Sequence, residues 1–224
     1  MKDFNVKELA AFIDHTNLKP DATKDDIRKL CDEAIKYGFA SVCVHPYYIE
    51  LASSILKGSG VKAGTVAGFP TGANTKESKA FEARDAVNRG AEELDMVLNI
   101  GALKSGDIQT VMEDIKGVVQ VAGEYGVVVK VILETCYLTD EEKVLACRIA
   151  KEAGADFVKT STGLGPGGAR AEDVRLMRET VGPEFGVKAA GGIRSYEDAV
   201  KMIRAGANRL GTSSAVKIME EIKA

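Results

Sequence analysis

Two lysines lie inside short apolar segments of the chain, where a charged side chain is costly to bury. Lys159 stands in ADFVKTSTG directly after Phe157 and Val158, and Lys188 stands in FGVKAAGGIR. A lysine within a parallel strand is expected to be desolvated on both faces, and burial disfavours the ammonium form. Because a neutral amine attacks carbonyl compounds, Lys159 is our candidate nucleophile. A structural lysine paired with a carboxylate on a neighbouring strand would fit the same segment.

Two further residues could move protons beside that amine. Two ammonium groups that are crowded together repel, so Lys188 would stay charged while Lys159 is neutral. Asp95 lies between Leu94 and Met96 in ELDMVLN, where an unpaired carboxylate would be costly to bury. We expect Asp95 to act as a general acid and base that Lys188 holds in place. A buried ion pair for Lys188, and a purely structural Asp95 paired with Lys130, remain open alternatives.

Glycine-rich segments follow the last three predicted strands: STGLGPGG at 161–168, AGGIRS at 190–195 and LGTSS at 210–214. Glycine lets backbone N–H groups approach an anion closely, and the last two segments each open onto a predicted helix. The sequence therefore predicts a phosphate site in these loops. Its candidate residues are Thr162, Gly163, Gly191, Gly192, Gly211, Ser213 and Ser214.

The remaining thiol and imidazole groups do not indicate metal or redox chemistry. The four cysteines are far apart without CxxC spacing, and the two histidines form no HExxH pair. We expect reduced cysteines in packed positions, no metal and no cofactor, with carboxylate-bound Mg²⁺ left as an open alternative. Asp14, at the end of the first predicted strand, and Cys43 are further candidates to face the substrate.

The elements that must position these residues alternate along the whole chain. Short β-branched segments alternate with amphipathic helical ones, which is typical of β/α units around a parallel sheet. The predicted strands are Phe12–His15, Ser41–Val44, Lys62–Ala67, Glu93–Leu98, Val127–Leu133, Asp156–Thr160, Val187–Ala190 and Arg209–Leu210. Eight such units predict an α/β protein, a single-domain (β/α)8 TIM barrel over residues 1–224. An open doubly wound sheet is the alternative, but its GxGxxG fingerprint is missing after the first strand.

The composition excludes several classes of protein. The chain has 224 residues, 45% of them hydrophobic, and a formal net charge of −3. It has enough apolar residues for a sizeable core and no basic surplus to neutralise a nucleic acid. The sequence lacks a long apolar segment that could span a bilayer and an N-terminal signal peptide. We therefore expect a soluble, cytoplasmic protein that binds neither nucleic acid nor membrane.

Seven motifs follow one another in a specific order: DHTNL, SVCVHP, VAGFPTGANTKESKAFEA, ELDMVLNIGALKSGD, VKVILET, ADFVKTSTGLGPGGA and GVKAAGGIR. In these motifs the chain resembles the deoxyribose-phosphate aldolase family over nearly its whole length. The resemblance implies a (β/α)8 enzyme that reversibly cleaves 2-deoxy-D-ribose 5-phosphate into D-glyceraldehyde 3-phosphate and acetaldehyde without a metal. By position, Lys159 matches the family's Schiff-base lysine, Asp95 and Lys188 match its proton-transfer pair, and the glycine-rich loops match its phosphate site.

The resemblance also implies that the partners are a small sugar phosphate and an aldehyde, and that the chain forms a homodimer or homotetramer. Two departures stand out. Leu164 follows STG where some members carry a lysine, and the tail IMEEIKA lacks the terminal tyrosine of some members. Two alternatives stay open: another Schiff-base aldolase or transaldolase acting on a different sugar phosphate, and a non-catalytic barrel that binds sugar phosphates.

Overall fold

A computed structural model of the chain describes residues 4–223. Residues 1–3, where the segment inspected for a signal peptide begins, and residue 224, the end of the IMEEIKA tail, lie outside the described residues. Eight parallel strands pair in chain order, and the last pairs with the first to close a barrel. The predicted (β/α)8 barrel is thereby confirmed, and the alternative of an open sheet is wrong. The strands are β1 (Ile13–Asn17), β2 (Ser41–Val44), β3 (Lys62–Ala67), β4 (Glu93–Val97), β5 (Val128–Ile132), β6 (Phe157–Lys159), β7 (Gly186–Ala190) and β8 (Arg209–Thr212).

One helix precedes the first strand, and further helices follow the strands and surround the barrel. They are α1 (Val6–Ala10), α2 (Lys24–Tyr37), α3 (Ile49–Leu56), α4 (Lys76–Asn88), α5 (Ile100–Lys104), α6 (Ile108–Gly123), α7 (Asp140–Glu152), α8 (Ala171–Val181), α9 (Tyr196–Arg204) and α10 (Ala215–Lys223). Single 3₁₀ turns occur at Pro46–Tyr48 and Thr135–Tyr137. Within residues 4–223, none of the helices is long and apolar enough to cross a membrane.

The predicted strand bounds hold best in the middle of the chain. Ser41–Val44 and Lys62–Ala67 are confirmed, and the next four strands differ from the prediction by one residue at one end or at both ends. The first strand runs to Asn17 and the last to Thr212. Asn17 pairs with Val44 on the neighbouring strand β2, whereas Thr212 pairs with His15 only because β8 meets β1 and closes the barrel.

Alternation of side chains along the strands separates an apolar core from a charged interior. Along β4, Leu94 and Met96 join the large apolar core that packs against helical residues such as Ile115. The side chain of Asp95, between them, reaches Lys188 on β7. Because β4 and β7 are not neighbours in the sheet, both charged side chains must point into the barrel. Charges thus occupy a space that bulky branched residues usually fill.

Candidate active site

Asp95 joins three lysines from three different strands inside the barrel. Its Oδ1 accepts a hydrogen bond from Lys130 Nζ on β5 at 2.9 Å. Its Oδ2 accepts from Lys159 Nζ on β6 at 2.8 Å and from Lys188 Nζ on β7 at 2.7 Å. The predicted trio of Lys159, Lys188 and Asp95 is therefore brought together, and the alternative partner Lys130 binds the other oxygen of the same carboxylate. The structural and the functional interpretations of Asp95 are compatible.

A second set of ion pairs continues from this group along the barrel interior. Asp14 on β1 binds Lys188, and its Oδ1 lies 2.8 Å from Arg209 Nη1 on β8. Arg209 also contacts Glu93 at 3.1 Å, and Glu93 accepts from Lys130 Nζ at 2.7 Å. Six of the eight strands thereby contribute to one buried charge network.

Burial and charge act in opposite directions on the groups of this network. Desolvation alone would raise the pKa of Asp95, but the ammonium groups of Lys130, Lys159 and Lys188 outweigh it and hold the pKa well below its ordinary value. Desolvation would lower the pKa of Lys188, but the carboxylates of Asp14 and Asp95 raise it well above the usual value. Lys188 therefore stays charged, and Asp95 stays ionised, at neutral pH.

A cavity of about 460 Å³ opens onto the end of this network. Lys159 lines the cavity although its residue is only 3% exposed, whereas Asp95 and Lys188 are not among the lining residues. Six of the predicted phosphate residues also line it: Thr162, Gly163, Gly191, Gly192, Gly211 and Ser213. Lys159 is thus the amine through which a ligand in this cavity meets the charge network.

The glycines of the last three loops permit close packing around the cavity. Gly191 and Gly192 have φ of 88° and 82°, which favours glycine. A Cβ on Gly211 would lie 3.1 Å from Cε of Lys188. A larger residue there would press on the aliphatic part of Lys188, so Gly211 leaves room for that side chain.

The predicted site residues Ser214, Asp14 and Cys43 are not among the residues that line the cavity. The Ser214 N–H donates to Thr212 Oγ1 at 2.9 Å. Asp14 is fully buried, and Lys188 and Arg209 bind its carboxylate. Cys43 belongs to a small apolar cluster in the barrel, and burial raises the pKa of its thiol to about 11.

The structure adds residues that the sequence did not single out. His15 and Glu33 also line the cavity, and His15 Nε2 lies 2.8 Å from Glu33 Oε2. Glu93 and Arg209 belong to the charge network, and Glu134 binds the loop after β6. The sequence could have predicted Glu93 as a further interior charge. Residues two apart on a strand share a face, and Asp95 was already a candidate.

The four cysteines form no disulfide. Three of them are buried as expected, but Cys136 is exposed in the 3₁₀ turn after β5, so the prediction of a packed position is wrong for this residue. No group of three or more His, Cys, Asp or Glu side chains within residues 4–223 is arranged to hold a metal ion.

Comparison with known proteins defines the class to which this barrel belongs. A family model described as DeoC/LacD family aldolase matches residues 9–218. The barrel with its buried amine is an aldolase, a carbon–carbon lyase. The chain belongs to the DeoC/LacD aldolase family.

Relatives match along nearly the whole chain. A deoxyribose-phosphate aldolase of Thermococcus gammatolerans is 66% identical over 215 residues, which cover 95% of this chain and 96% of the relative. One from Clostridium tetani is 61% identical and covers 96% of this chain and 100% of its own length. Among solved structures, the tetrameric deoxyribose phosphate aldolase of Aeropyrum pernix has a TM-score of 0.92 at 41% identity, covering 98% of this chain and 93% of that one.

Proposed function

We propose that this chain reversibly cleaves 2-deoxy-D-ribose 5-phosphate into D-glyceraldehyde 3-phosphate and acetaldehyde through an imine on Lys159. The observation that carries the proposal is the Lys159 amine, which lines the cavity while donating to the same Asp95 oxygen as Lys188. The activity named for the relatives at 60–66% identity supports the choice of substrate.

The charge balance of the network supports Lys159 as the nucleophile. The buried charge network inside the barrel consists of three lysines, one arginine and three carboxylates. If all of them are ionised, the network holds one more cation than anion. A surplus charge in a buried space is unfavourable, so release of one proton from an amine would make the network neutral. Among its members only Lys159 lines the cavity. The network consists of Asp14, Glu93, Asp95, Lys130, Lys159, Lys188 and Arg209.

The chemical steps follow from that geometry. The Lys159 amine adds to the C1 carbonyl of the open-chain sugar, and loss of water gives a protonated imine. When the C2–C3 bond breaks, the imine takes up the electron pair to become an enamine, the hydroxyl proton on C3 leaves, and C3 becomes the aldehyde of glyceraldehyde 3-phosphate. Protonation of the remaining enamine and addition of water release acetaldehyde and the free amine.

Asp95 and Lys188 are the proposed proton-transfer pair. Asp95 shares one oxygen between the reacting amine and the Lys188 ammonium, so a proton can pass from one nitrogen to the other through a single carboxylate. Asp14 also binds Lys188 and keeps that ammonium in place. Asp14 would then affect the reaction only by positioning Lys188.

The glycine-rich loops are the proposed site of the 5-phosphate. Gly163, Gly191, Gly192, Gly211 and Ser213 line the same cavity as Lys159. Backbone N–H groups in such turns suit an anion, and barrels of this type commonly bind phosphate after strands seven and eight. Holding the phosphate at one end and C1 at the other would fix the sugar's orientation.

Reductive trapping tests the proposal. Substrate and borohydride should add a stable label to one peptide, and mass mapping should place it on Lys159. The Lys159→Ala variant should lose both the label and the aldolase activity in a coupled assay, while Lys62→Ala, a lysine exposed at the start of β3, should keep both. A label on any other residue would refute the assignment.

An assay of the donor substrate distinguishes the proposed aldolase from the alternative aldolases and transaldolase. This proposal predicts carbon–carbon bond formation with acetaldehyde as the donor, whereas a transaldolase or a different Schiff-base aldolase would use a longer sugar phosphate or dihydroxyacetone phosphate. A non-catalytic binding protein would bind the sugar phosphate without forming an imine. The cytoplasmic location expected from the sequence stays a prediction.

The proposed assembly is a homodimer or homotetramer. The relative from Aeropyrum pernix is described as a tetramer. Large side chains that an interface could cover are exposed here, with Tyr47 at 77% and Phe81 at 73%. Light scattering coupled to size-exclusion chromatography should give a mass of two or four chains, and a monomer would contradict the proposal.

A further inference from the structure

Glu134 is the only non-glycine residue with a positive φ within residues 4–223. It follows β5 directly and has a φ of 53° and a ψ of 62°, which is the left-handed region. Residues with a side chain rarely adopt this conformation, and it persists only where the surroundings impose it. The Glu134 side chain is nevertheless buried, with 2% of the residue exposed.

The Glu134 carboxylate binds the loop that follows β6. Its Oε2 accepts hydrogen bonds from the Thr162 hydroxyl at 2.5 Å and from the Thr162 N–H at 3.2 Å. A Cβ added to Gly165 would lie 3.2 Å from Cδ of Glu134, so the loop also packs closely on this carboxylate. The left-handed backbone therefore directs a buried anion onto the loop that begins immediately after the Lys159 strand.

These contacts decide which donors of the loop remain for a ligand. Thr162 gives both its N–H and its hydroxyl proton to Glu134, and its Oγ1 accepts from the Leu164 N–H at 3.1 Å. The N–H of Gly163 makes no hydrogen bond to another described residue. Gly163 has a φ of 86° and lines the cavity. Of residues 162–164, Gly163 thus keeps a free backbone donor at the cavity.

We propose that Glu134 is a positioning residue that holds Thr162 so that the loop presents the Gly163 N–H, and not the Thr162 donors, to the phosphate of the substrate. The inference rests on the proposed function for the identity of the ligand. It revises the sequence prediction for Thr162, whose role becomes the attachment of the loop to Glu134. Glu134 itself does not touch the substrate.

Two variants test the contact from its two ends. Glu134→Gln keeps the size of the side chain but replaces one acceptor oxygen with a donor, and Thr162→Val removes the hydroxyl donor. Each should raise the KM for 2-deoxyribose 5-phosphate about tenfold, as expected for loss of a charge-assisted hydrogen bond. Combining them should cost little more than either alone, because both remove the same contact. Thr162→Ser, which keeps the hydroxyl, should stay near the wild type, as should Glu172→Gln on the exposed start of α8.

The comparison of substrates separates positioning of the phosphate from general damage. With unphosphorylated 2-deoxyribose, the KM of each variant should change less than about twofold, and labelling of Lys159 by acetaldehyde and borohydride should equal the wild type. Equal losses with both sugars, or an unchanged KM with the phosphorylated sugar, would overturn the proposal for Glu134.

Binding of inorganic phosphate distinguishes the two proposals from each other. Calorimetry with phosphate alone needs no imine, and Glu134→Gln should weaken this binding about tenfold. If the wild type forms no imine but the variant still weakens phosphate binding, the proposed function fails and the role of Glu134 stands. If imine formation is intact and phosphate affinity is unchanged in the variant, the role of Glu134 fails and the proposed function stands.

Discussion

Lys159 and Lys188 donate hydrogen bonds to the same oxygen of Asp95, at 2.8 and 2.7 Å. Two lysine nitrogens on adjacent strands would repel without that oxygen between them. The carboxylate removes the repulsion and, at the same time, connects the two nitrogens through one proton acceptor. The residue that stabilises the cluster is therefore also the one that we propose to transfer protons within it.

Replacing Asp95 with Asn should affect both stability and turnover. The change leaves Lys130, Lys159 and Lys188 without their shared carboxylate, and removing one partner of a buried ion pair costs about 3–5 kcal/mol. Loss of a general acid and base lowers turnover about 100- to 10,000-fold. Urea unfolding and the coupled assay measure the two effects. Asp140→Asn, whose side chain is 74% exposed, is the matched control and should leave turnover unchanged.

Stability should fall in acid because of the buried carboxylates. Burial would raise the pKa of Asp14 and Asp95, but neighbouring cations hold both below the ordinary value of 3.8. In the unfolded chain these groups take up protons near pH 3.9, while in the folded protein they remain ionised. Their stabilisation is therefore present above that pH and lost as the pH falls below it, by about 1.4 kcal/mol per pH unit for each group.

Urea midpoints measured between pH 7 and pH 2 check this expectation. Asp14→Asn removes one of the two groups and should flatten the acid slope by about 1.4 kcal/mol per pH unit. An acid slope that is the same in the wild type and in the variant would show that Asp14 is not responsible.

Barrel closure and the identity of the cluster were predictable from the sequence because each strand carries a local signal. Three of the interior charges stand inside apolar segments, at Asp95, Lys159 and Lys188. Their burial requires partners of opposite charge, so each was expected to pair with another of the three or with a further buried charge such as Lys130. The strand order then brings the three to the interior of one barrel.

The remaining features depend on contacts that no local pattern contains. Arg209 begins the last strand and meets Glu93 only across the closed barrel. Thr162 stands in a glycine-rich segment typical of anion binding, yet its donors are taken by Glu134, which lies 28 residues earlier in the chain. Ser214 bonds to Thr212 in its own loop. Such choices among competing hydrogen-bond partners are settled by tertiary packing.

The buried pair Lys79 and Asp114 should couple α4 to α6. Lys79 is fully buried, and its Nζ donates to Asp114 Oδ2 at 2.5 Å and to the Val97 carbonyl at 2.8 Å. Lys79→Met should destabilise the protein by about 3–5 kcal/mol because it leaves Asp114 uncompensated. Adding Asp114→Leu should restore part of that loss, since the unpaired charge is gone. Urea unfolding of both variants measures this, and a double variant less stable than Lys79→Met would contradict it.

Thiol labelling should distinguish Cys136 from the other three cysteines. Cys31, Cys43 and Cys147 are buried, and burial raises the pKa of each thiol, to about 12, 11 and 12 respectively. Because the thiolate is the reactive form, iodoacetamide at pH 8 should modify Cys136 first in the folded protein. Mass spectrometry should find one adduct under native conditions and four in urea. Rapid native labelling of Cys43 would contradict its burial.

Replacing Leu164 with Lys should strengthen binding of the phosphorylated substrate. Leu164 is 60% exposed and lines the cavity beside Gly163, so a lysine there would place an ammonium group near the proposed phosphate site. An exposed charge contributes about 0.2–1 kcal/mol, which corresponds to a fall in KM of about 1.5- to 5-fold. Salt screens such interactions, so the gain should shrink as ionic strength rises. Leu164→Gln, which adds polarity without charge, should leave KM unchanged. If unphosphorylated 2-deoxyribose gained as much as the phosphate ester, the added cation would not be acting on the phosphate.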